Sequence, residues 1–243
     1  MSNDTTQRGV ASVLKACTVL RAFSPSVGVL SVRQVAERTG IPRSTAHELC
    51  RTLVTAGMLR TSDEGYQLGP LALELGGHAV RRTSLVRAAG GVLDRLVRTP
   101  AQEAHLGQFT QGWVVYLARN SGPRKSEIGR RVPAHLTTCG KAALSWLPFR
   151  EVAEQVARCC AERGVPQPDL SALHDELYQA RRDGHLSAQA LPGNRMSLAA
   201  AIVDGRNRPL GGVSVAGPAN AFTPSARAAV TEAARVISAR MSA

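Results

Sequence analysis

The tripeptide Gly40-Ile41-Pro42, set between two stretches with three-to-four-residue apolar spacing, constrains this chain more than any other feature. Before it, Val32, Val35 and Ala36 fall at i, i+3 and i+4 and leave Arg33, Gln34, Glu37 and Arg38 polar, the pattern of a short amphipathic helix. Glycine suits the left-handed position that closes such a helix. Proline pushes Ile41 out of the α region and supplies a preset first helical residue, so a second helix is predicted to begin at Pro42. Its inward stripe is Ala46, Leu49, Cys50 and Leu53, a helical spacing that strand alternation does not explain. Gly57 ends it, and residues 58–61, a Ser-Asp-Glu-Gly turn and residues 66–68 read as a hairpin. Helix, tight turn, helix and ribbon in that order over residues 30–68 predict a winged helix-turn-helix, whose second helix enters a DNA major groove.

The outward residues of that second helix are Arg43, Ser44, Thr45, His47, Glu48, Arg51 and Thr52, side chains suited to phosphates and base edges. Candidate DNA contacts are therefore Arg33, Arg43, Ser44, Thr45, His47, Arg51 and, on the wing, Arg60. A formal charge of +12 favours a polyanionic partner but does not locate the contact. Residues 1–83 hold ten Lys plus Arg against six Asp plus Glu, so most of the excess lies in the remainder of the chain. The motif, more than the charge, points to double-stranded DNA.

Four segments are expected. Residues 1–9 are a polar, disordered tail, and residues 10–68 form the winged domain, with Val13, Cys17 and Leu20 of a first helix covering its core. Residues 69–83 form a linker helix interrupted at Gly76-Gly77. Residues 84–243 carry a helix to about position 98, strands at 103–109 and 113–120, and a basic loop at 122–131. A short helix after His135, helices at 150–162 and 171–183, strands at 185–189, 197–203 and 210–216, and a closing helix capped by Thr223 complete them. This mixture predicts an α+β domain.

The 44% hydrophobic content is enough for packed cores. Cys17, Cys50, Cys139, Cys159 and Cys160 include no C-x-x-C pair and no zinc spacing, so no metal or cofactor is expected. Neither a signal-like N-terminus nor an apolar run near eighteen residues is present, which predicts a cytoplasmic protein with no membrane partner.

The segments RGVASVLKACTVLRAF at 8–23, LSVRQVAERTGIPRSTAHELCRTLVTAGMLR at 30–60, PAHLTTCGKA at 133–142 and GGVSVAGP at 211–218 resemble, in this order and spacing, the IclR family of bacterial transcriptional regulators. The resemblance implies a winged helix-turn-helix, a linker helix and a C-terminal GAF-like α/β effector-binding domain, assembled as a homodimer or a dimer of dimers. It also implies an effector pocket at the segment after Pro133 and at serines matching Ser197 and Ser214.

Residues 137–141 open a helix, and N–H groups at a helix start receive a carboxylate, so Thr138, Cys139, Gly140 and Lys141 are candidate effector contacts. Leu106, Trp113, Met196 and Leu198 are candidate apolar walls. Where the family often carries acidic residues, residues 185–191 read HLSAQAL with no carboxylate, which points to a small organic acid with an apolar or aromatic body. Glu48 stands where the family commonly places an arginine.

The expected function is a DNA-binding regulator, in the repressor sense, modulated by such an acid. Two other readings stay open: a winged module used for protein pairing, and an enzyme built around Cys139 or His135, for which no supporting acid is apparent.

Overall fold

The computed structural model describes residues 9–24, 27–97, 102–120, 128–190 and 195–242. Residues 1–8 of the predicted tail and 122–127 of the basic loop lie outside them. Backbone packing divides the chain into Met1–Arg82 and Thr83–Ala243.

The first unit holds α1 (Ala11–Arg21), α2 (Val32–Thr39), α3 (Arg43–Thr55), the hairpin β1 (Leu59–Ser62) and β2 (Gly65–Leu68), and α4 (Pro70–Arg82). Helix α2 starts on a reciprocal cap. The Ser31 hydroxyl accepts from the Gln34 N–H at 3.3 Å, and the Gln34 side chain accepts from the Ser31 N–H at 2.9 Å. It ends at Gly40 with φ +68°, a conformation that L side chains rarely adopt. Pro42 is the N-cap of α3, with ψ 140°, and the helix begins at Arg43, one position later than predicted. The core gathers Val19, Phe23, Leu30, Val35, Ile41, Ala46, Cys50, Leu53 and Leu59.

Two expectations are corrected in this unit. Ala16, Val19 and Leu20 of α1 and Phe23 just past its end pack inward, whereas Val13 is 57% exposed and Cys17 is also at the surface. Leu20 packs on the core as expected, and Val19 and Phe23, a larger apolar load than Val13 and Cys17, take the buried positions. Helix α4 runs through Gly76-Gly77 unbroken. Each glycine costs roughly 1 kcal/mol of helix propensity, which neighbouring turns with hydrogen bonds on both sides absorb.

The second unit is built on one antiparallel sheet of six strands in the order β5-β4-β3-β8-β7-β6. They are β3 (Glu103–Thr110), β4 (Trp113–Asn120), β5 (Arg131–Pro133), β6 (Leu186–Ala190), β7 (Arg195–Val203) and β8 (Pro209–Pro218). One face packs on α5 (Ser84–Ala88), α6 (Val92–Leu96) and α10 (Pro224–Ser242), through Leu106, Leu198, Ile202, Val213 and Val215 against Leu85, Val92, Val230 and Ile237. The helix expected to run to position 98 is two short helices, separated at Gly90-Gly91.

The opposite face receives α7 (Thr138–Leu144), α8 (Phe149–Arg163) and α9 (Leu170–Asp183). Phe109 and Val114 pack there with Leu144, Val152, Val156, Leu173 and Leu177. Helix α7 lies against the sheet because the positions beneath it are small: Cys139 and Ala142 meet Ala199 and Ala201. It is clamped from behind as well, since a Cβ on Gly140 would stand within 2.2 Å of the Ala134 carbonyl oxygen.

Candidate DNA interface and effector site

Helix α3 presents Arg43, Ser44, His47, Glu48, Arg51 and Thr52 to solvent, with Thr45 half-buried beside them. Ala46, Cys50 and Leu53 hold the other side in the core, so the exposed set cannot turn inward without losing that packing. Arg43, His47 and Arg51 recur every four residues and form one ridge. Glu48 interrupts the positive surface. A carboxylate there repels phosphates but can accept from a cytosine amino group. Arg33 on α2 is exposed and within 3.8 Å of Glu37. Arg60 donates to the Gln67 side chain across the hairpin at 2.8 Å, which fixes its place on the wing.

In the second unit the predicted effector residues separate into two sets, because adjacent strand residues face opposite ways. Leu106 and Leu198 are fully buried in the layer beneath α10 and α6, and are core rather than pocket wall. Met196 shares the strand parity of Leu198 and lies on that same side. Trp113 is buried with the Arg131 guanidinium 3.5 Å above its ring, at the parity opposite Val114 and Tyr116. By strand parity none of these four lies on the face that α7 covers.

Cys139, Ser197 and Ser214 share the face covered by α7. Ser214 pairs in register with His105 and Ala199, and Ser197 with Ala216 and Ala188. Helix α7 itself is less open than predicted. Thr137 accepts from the Gly140 N–H at 2.9 Å, and Gly140 faces the Ala134 backbone. Cys139 points at the sheet, 3.6 Å from the Gly212 carbonyl, and burial pushes its thiol up to about 11. Lys141 is committed to Glu176 of α9 at 2.6 Å, and Thr138 is half-buried in the first turn.

Sequence reasoning passed over the charged residues on this face. Glu103 sits in the centre, its side chain 5% exposed. Its Oε2 accepts from Arg119 at 2.6 Å and its Oε1 from Arg195 at 2.8 Å. The arginine side chains are themselves 10% and 17% exposed. His105 is buried beside them, its ring 5.5 Å from that of Tyr116 in an edge-on contact. The signal was present as alternation: Glu103 with His105, and Arg195 with Ser197, are polar residues two apart in otherwise apolar strands.

A groove of about 240 Å³ lies elsewhere, between α6 and α10, lined by Val92, Leu96, Ala229, Ala233 and Val236 with Arg95 and Glu232. Its lining is largely aliphatic, with the two charges opposite in sign, so the chemistry for an anion is on the other face of the sheet.

Cys139 and His135, the residues on which an enzymatic reading could rest, have different neighbours. His135 is 3.7 Å from the Cys160 sulfur, and burial, aided by the Lys141 charge, holds it below the ordinary histidine range. Cys139 has Gly212 and Ser214 about it, neither of them a base. Among the described residues no His, Cys, Asp and Glu cluster could hold a metal, and no helix is long and apolar enough to cross a membrane.

Comparison with known proteins gives this geometry a family. Residues 12–63 match the IclR helix-turn-helix domain, and residues 77–243 match the bacterial transcriptional regulator IclR C-terminal domain. HTH-type transcriptional regulator XynR of Escherichia coli is 31% identical over 184 residues, covering 72% of this chain and 73% of the relative. The glycerol operon regulatory protein of Streptomyces coelicolor is 29% identical over 250 residues, covering 95% and 96%. In fold, the chain is similar to an IclR homolog from Microbacterium hydrocarbonoxydans solved as a complex with 4-hydroxybenzoate. That likeness has a TM-score of 0.77 at 20% identity, over 95% of this chain and 99% of that one. With two family domains matched in sequence order over nearly the whole chain, this protein belongs to the IclR family of bacterial transcriptional regulators.

Proposed function

We propose that this regulator acts as a repressor, binding an operator through α3 and the β1–β2 wing and releasing it when a small organic acid occupies the second unit. The observation that carries the DNA half is the exposed ridge Arg43, His47, Arg51, held outward by the buried Ala46, Cys50 and Leu53. Repression requires that the operator overlap the polymerase site, where a bound winged domain excludes polymerase without any further surface. Two recognition helices are needed to read a two-fold operator, so the working species is a homodimer or a dimer of dimers. The apolar Val13 and Leu14 on α1 and Leu73 and Leu75 on α4, all solvent-exposed in the single chain, are consistent with that pairing. We assign DNA contact to Arg33, Arg43, Ser44, Thr45, His47, Arg51 and Arg60, and effector contact to the α7-covered face around Ser197 and Ser214.

The acid's effect requires only that it bind the released form more tightly, and a coupling of about 1–3 kcal/mol changes operator affinity roughly five- to 150-fold. The test is to select bound duplexes from random DNA with the full-length protein, then titrate short aliphatic and aromatic acids into the complex. Selection of a two-fold site, and its release by an acid, is expected. Failure to enrich any sequence overturns the DNA assignment. Turnover of an acid overturns the non-enzymatic one.

A further inference from the structure

The apolar stripe of α3 fixes which of its residues face straight away from the fold. At about 100° of helix per residue, Ala46, Leu49, Cys50 and Leu53 centre on one direction, and the opposite direction falls between Ser44 and Glu48. Arg43 and His47 stand to one side of it. A carboxylate therefore occupies the middle of the groove-facing surface, within the first two turns that reach base edges, and cations flank it where phosphates run. Glu48 is exposed, and among the described residues no cation is paired with it, although Arg51 is one turn away. The Arg51 charge acts on the Tyr66 hydroxyl of β2, on the wing side. An unneutralised negative charge facing DNA repels each phosphate it nears, so it lowers affinity at large and is offset only where a base donates to it.

The chemistry of the major groove narrows the choice of base. Guanine offers N7 and O6 and thymine offers O4, all acceptors, which repel a carboxylate. Adenine sets its N6 amino donor beside the N7 acceptor, a pairing that suits an amide. Cytosine offers an amino group with no acceptor on its own edge. We infer that Glu48 reads a cytosine in each operator half-site, its carboxylate accepting from the N4 amino hydrogen that base pairing leaves in the groove. The inference rests on the proposed DNA reading of α3 and adds to it a residue outside the contacts assigned above. It also makes the operator sensitive to one base modification. A methyl on N4 takes the place of that hydrogen, whereas a methyl on C5 leaves it in position.

The experiment selects bound duplexes from random DNA with full-length wild type, Glu48→Gln and Glu48→Ala. Wild type enriches a site with one cytosine per half-site that Glu48→Ala no longer prefers and Glu48→Gln exchanges for adenine, the other positions being kept. Affinity is then measured on the selected site with that cytosine, in one half-site, changed to 5-methylcytosine, N4-methylcytosine or thymine. The 5-methylcytosine and thymine duplexes share the C5 methyl and differ at that base in amino against carbonyl. Wild type binds the 5-methylcytosine duplex roughly five- to 150-fold more tightly than the thymine duplex, the range for one wrong base pair, and N4-methylcytosine falls with thymine. Glu48→Ala binds all three alike.

Identical base preferences in the three proteins, or loss in Glu48→Ala of a preference for a base other than cytosine, overturns the inference. So does equal wild-type binding of the 5-methylcytosine and thymine duplexes, or a gap between them that persists in Glu48→Ala, since the partner purine would then be the base read. In each of these cases wild type still selects a site, and the DNA reading stands. If wild type enriches no sequence, the DNA reading and the inference fall together. The modified duplexes question the wild type alone, so the inference stays open to refutation even where a variant melts early.

Discussion

Two glycine-to-alanine substitutions in this chain should have opposite signs, and the reason lies in what each new methyl would touch. At Gly140 the added Cβ stands 2.2 Å from the Ala134 carbonyl oxygen, 2.5 Å from its Cα and 2.7 Å from its carbonyl carbon. All three are backbone atoms, which cannot swing aside. Relieving them to ordinary contact moves α7 by about an ångström, toward a sheet where Cys139 already lies close to Gly107 and Gly212. Overpacking of this kind costs roughly 1–3 kcal/mol. In a domain of this size each kcal/mol lowers the melting temperature by about 2–4 °C.

At Gly76 nothing lies within 4 Å of the added atom, and the site is an exposed helix interior. Alanine there stabilises by roughly 0.5–1 kcal/mol through helix propensity. Urea unfolding of the two variants, followed by far-ultraviolet circular dichroism with Trp113 and Trp146 fluorescence for the second unit, gives both numbers. A Gly140→Ala protein within 0.5 kcal/mol of wild type would refute the packing argument for α7. A destabilised Gly76→Ala protein would contradict the reading of Gly76 as an exposed position in an uninterrupted helix.

Four further outcomes follow from single groups. Ser31→Ala removes the hydroxyl that caps α2 and should lower stability of the first unit by about 0.5–2 kcal/mol, read from the denaturation midpoint of that unit's helical signal in the full chain. Glu48→Gln should tighten binding to non-specific duplex roughly fivefold at low salt and weaken discrimination between selected and random sites, measured by fluorescence anisotropy.

His135 is held below its usual range by burial, so below about pH 6.5 the unfolded chain binds the proton more readily than the native one. Stability is then lost as pH falls through that value, and His135→Gln should flatten the decline between pH 7.5 and pH 5.5. Among the described thiols, iodoacetamide should reach the exposed Cys17 first, while Cys139 and Cys159, both pushed up to about 11, react only after unfolding; mass spectrometry of timed samples decides it.

The first unit was legible in the sequence because each of its signals is local. Gly40, Pro42, the 46–49–50–53 stripe and the turn before Tyr66 each dictate a conformation within a few residues. Its errors are small phase errors, as with Val13 and Cys17, where an adjacent stripe of similar apolarity buried more surface. The sheet of the second unit gave up its strands but not its faces. Strands covered by helices on both sides read as continuous apolar runs, LAAAIV in β7 for instance, and a run without alternation does not reveal which side a residue occupies.

Leu106 and Leu198, read as apolar walls, are buried in the layer beneath α6 and α10, and Met196 shares their side of the sheet. The Arg119–Glu103–Arg195 cluster joins three strands across 92 residues of sequence separation, and no local pattern announces such a contact. What was readable, and missed, is that a charged residue alternating with a second polar one inside an apolar strand must have a partner waiting on that face.

The central claim is that the outward face of α3 meets duplex DNA, and the salt dependence of binding tests it most directly. Binding of the full-length protein to its selected duplex should be followed from 50 to 200 mM KCl for wild type, Arg43→Ala, Arg51→Ala and Arg150→Ala, the last an exposed arginine on α8. Removing one arginine that neutralises a phosphate should reduce the slope of log affinity against log salt by about 0.9. The account predicts that reduction for Arg43 or Arg51 and none for Arg150. Identical slopes for all four proteins would contradict it.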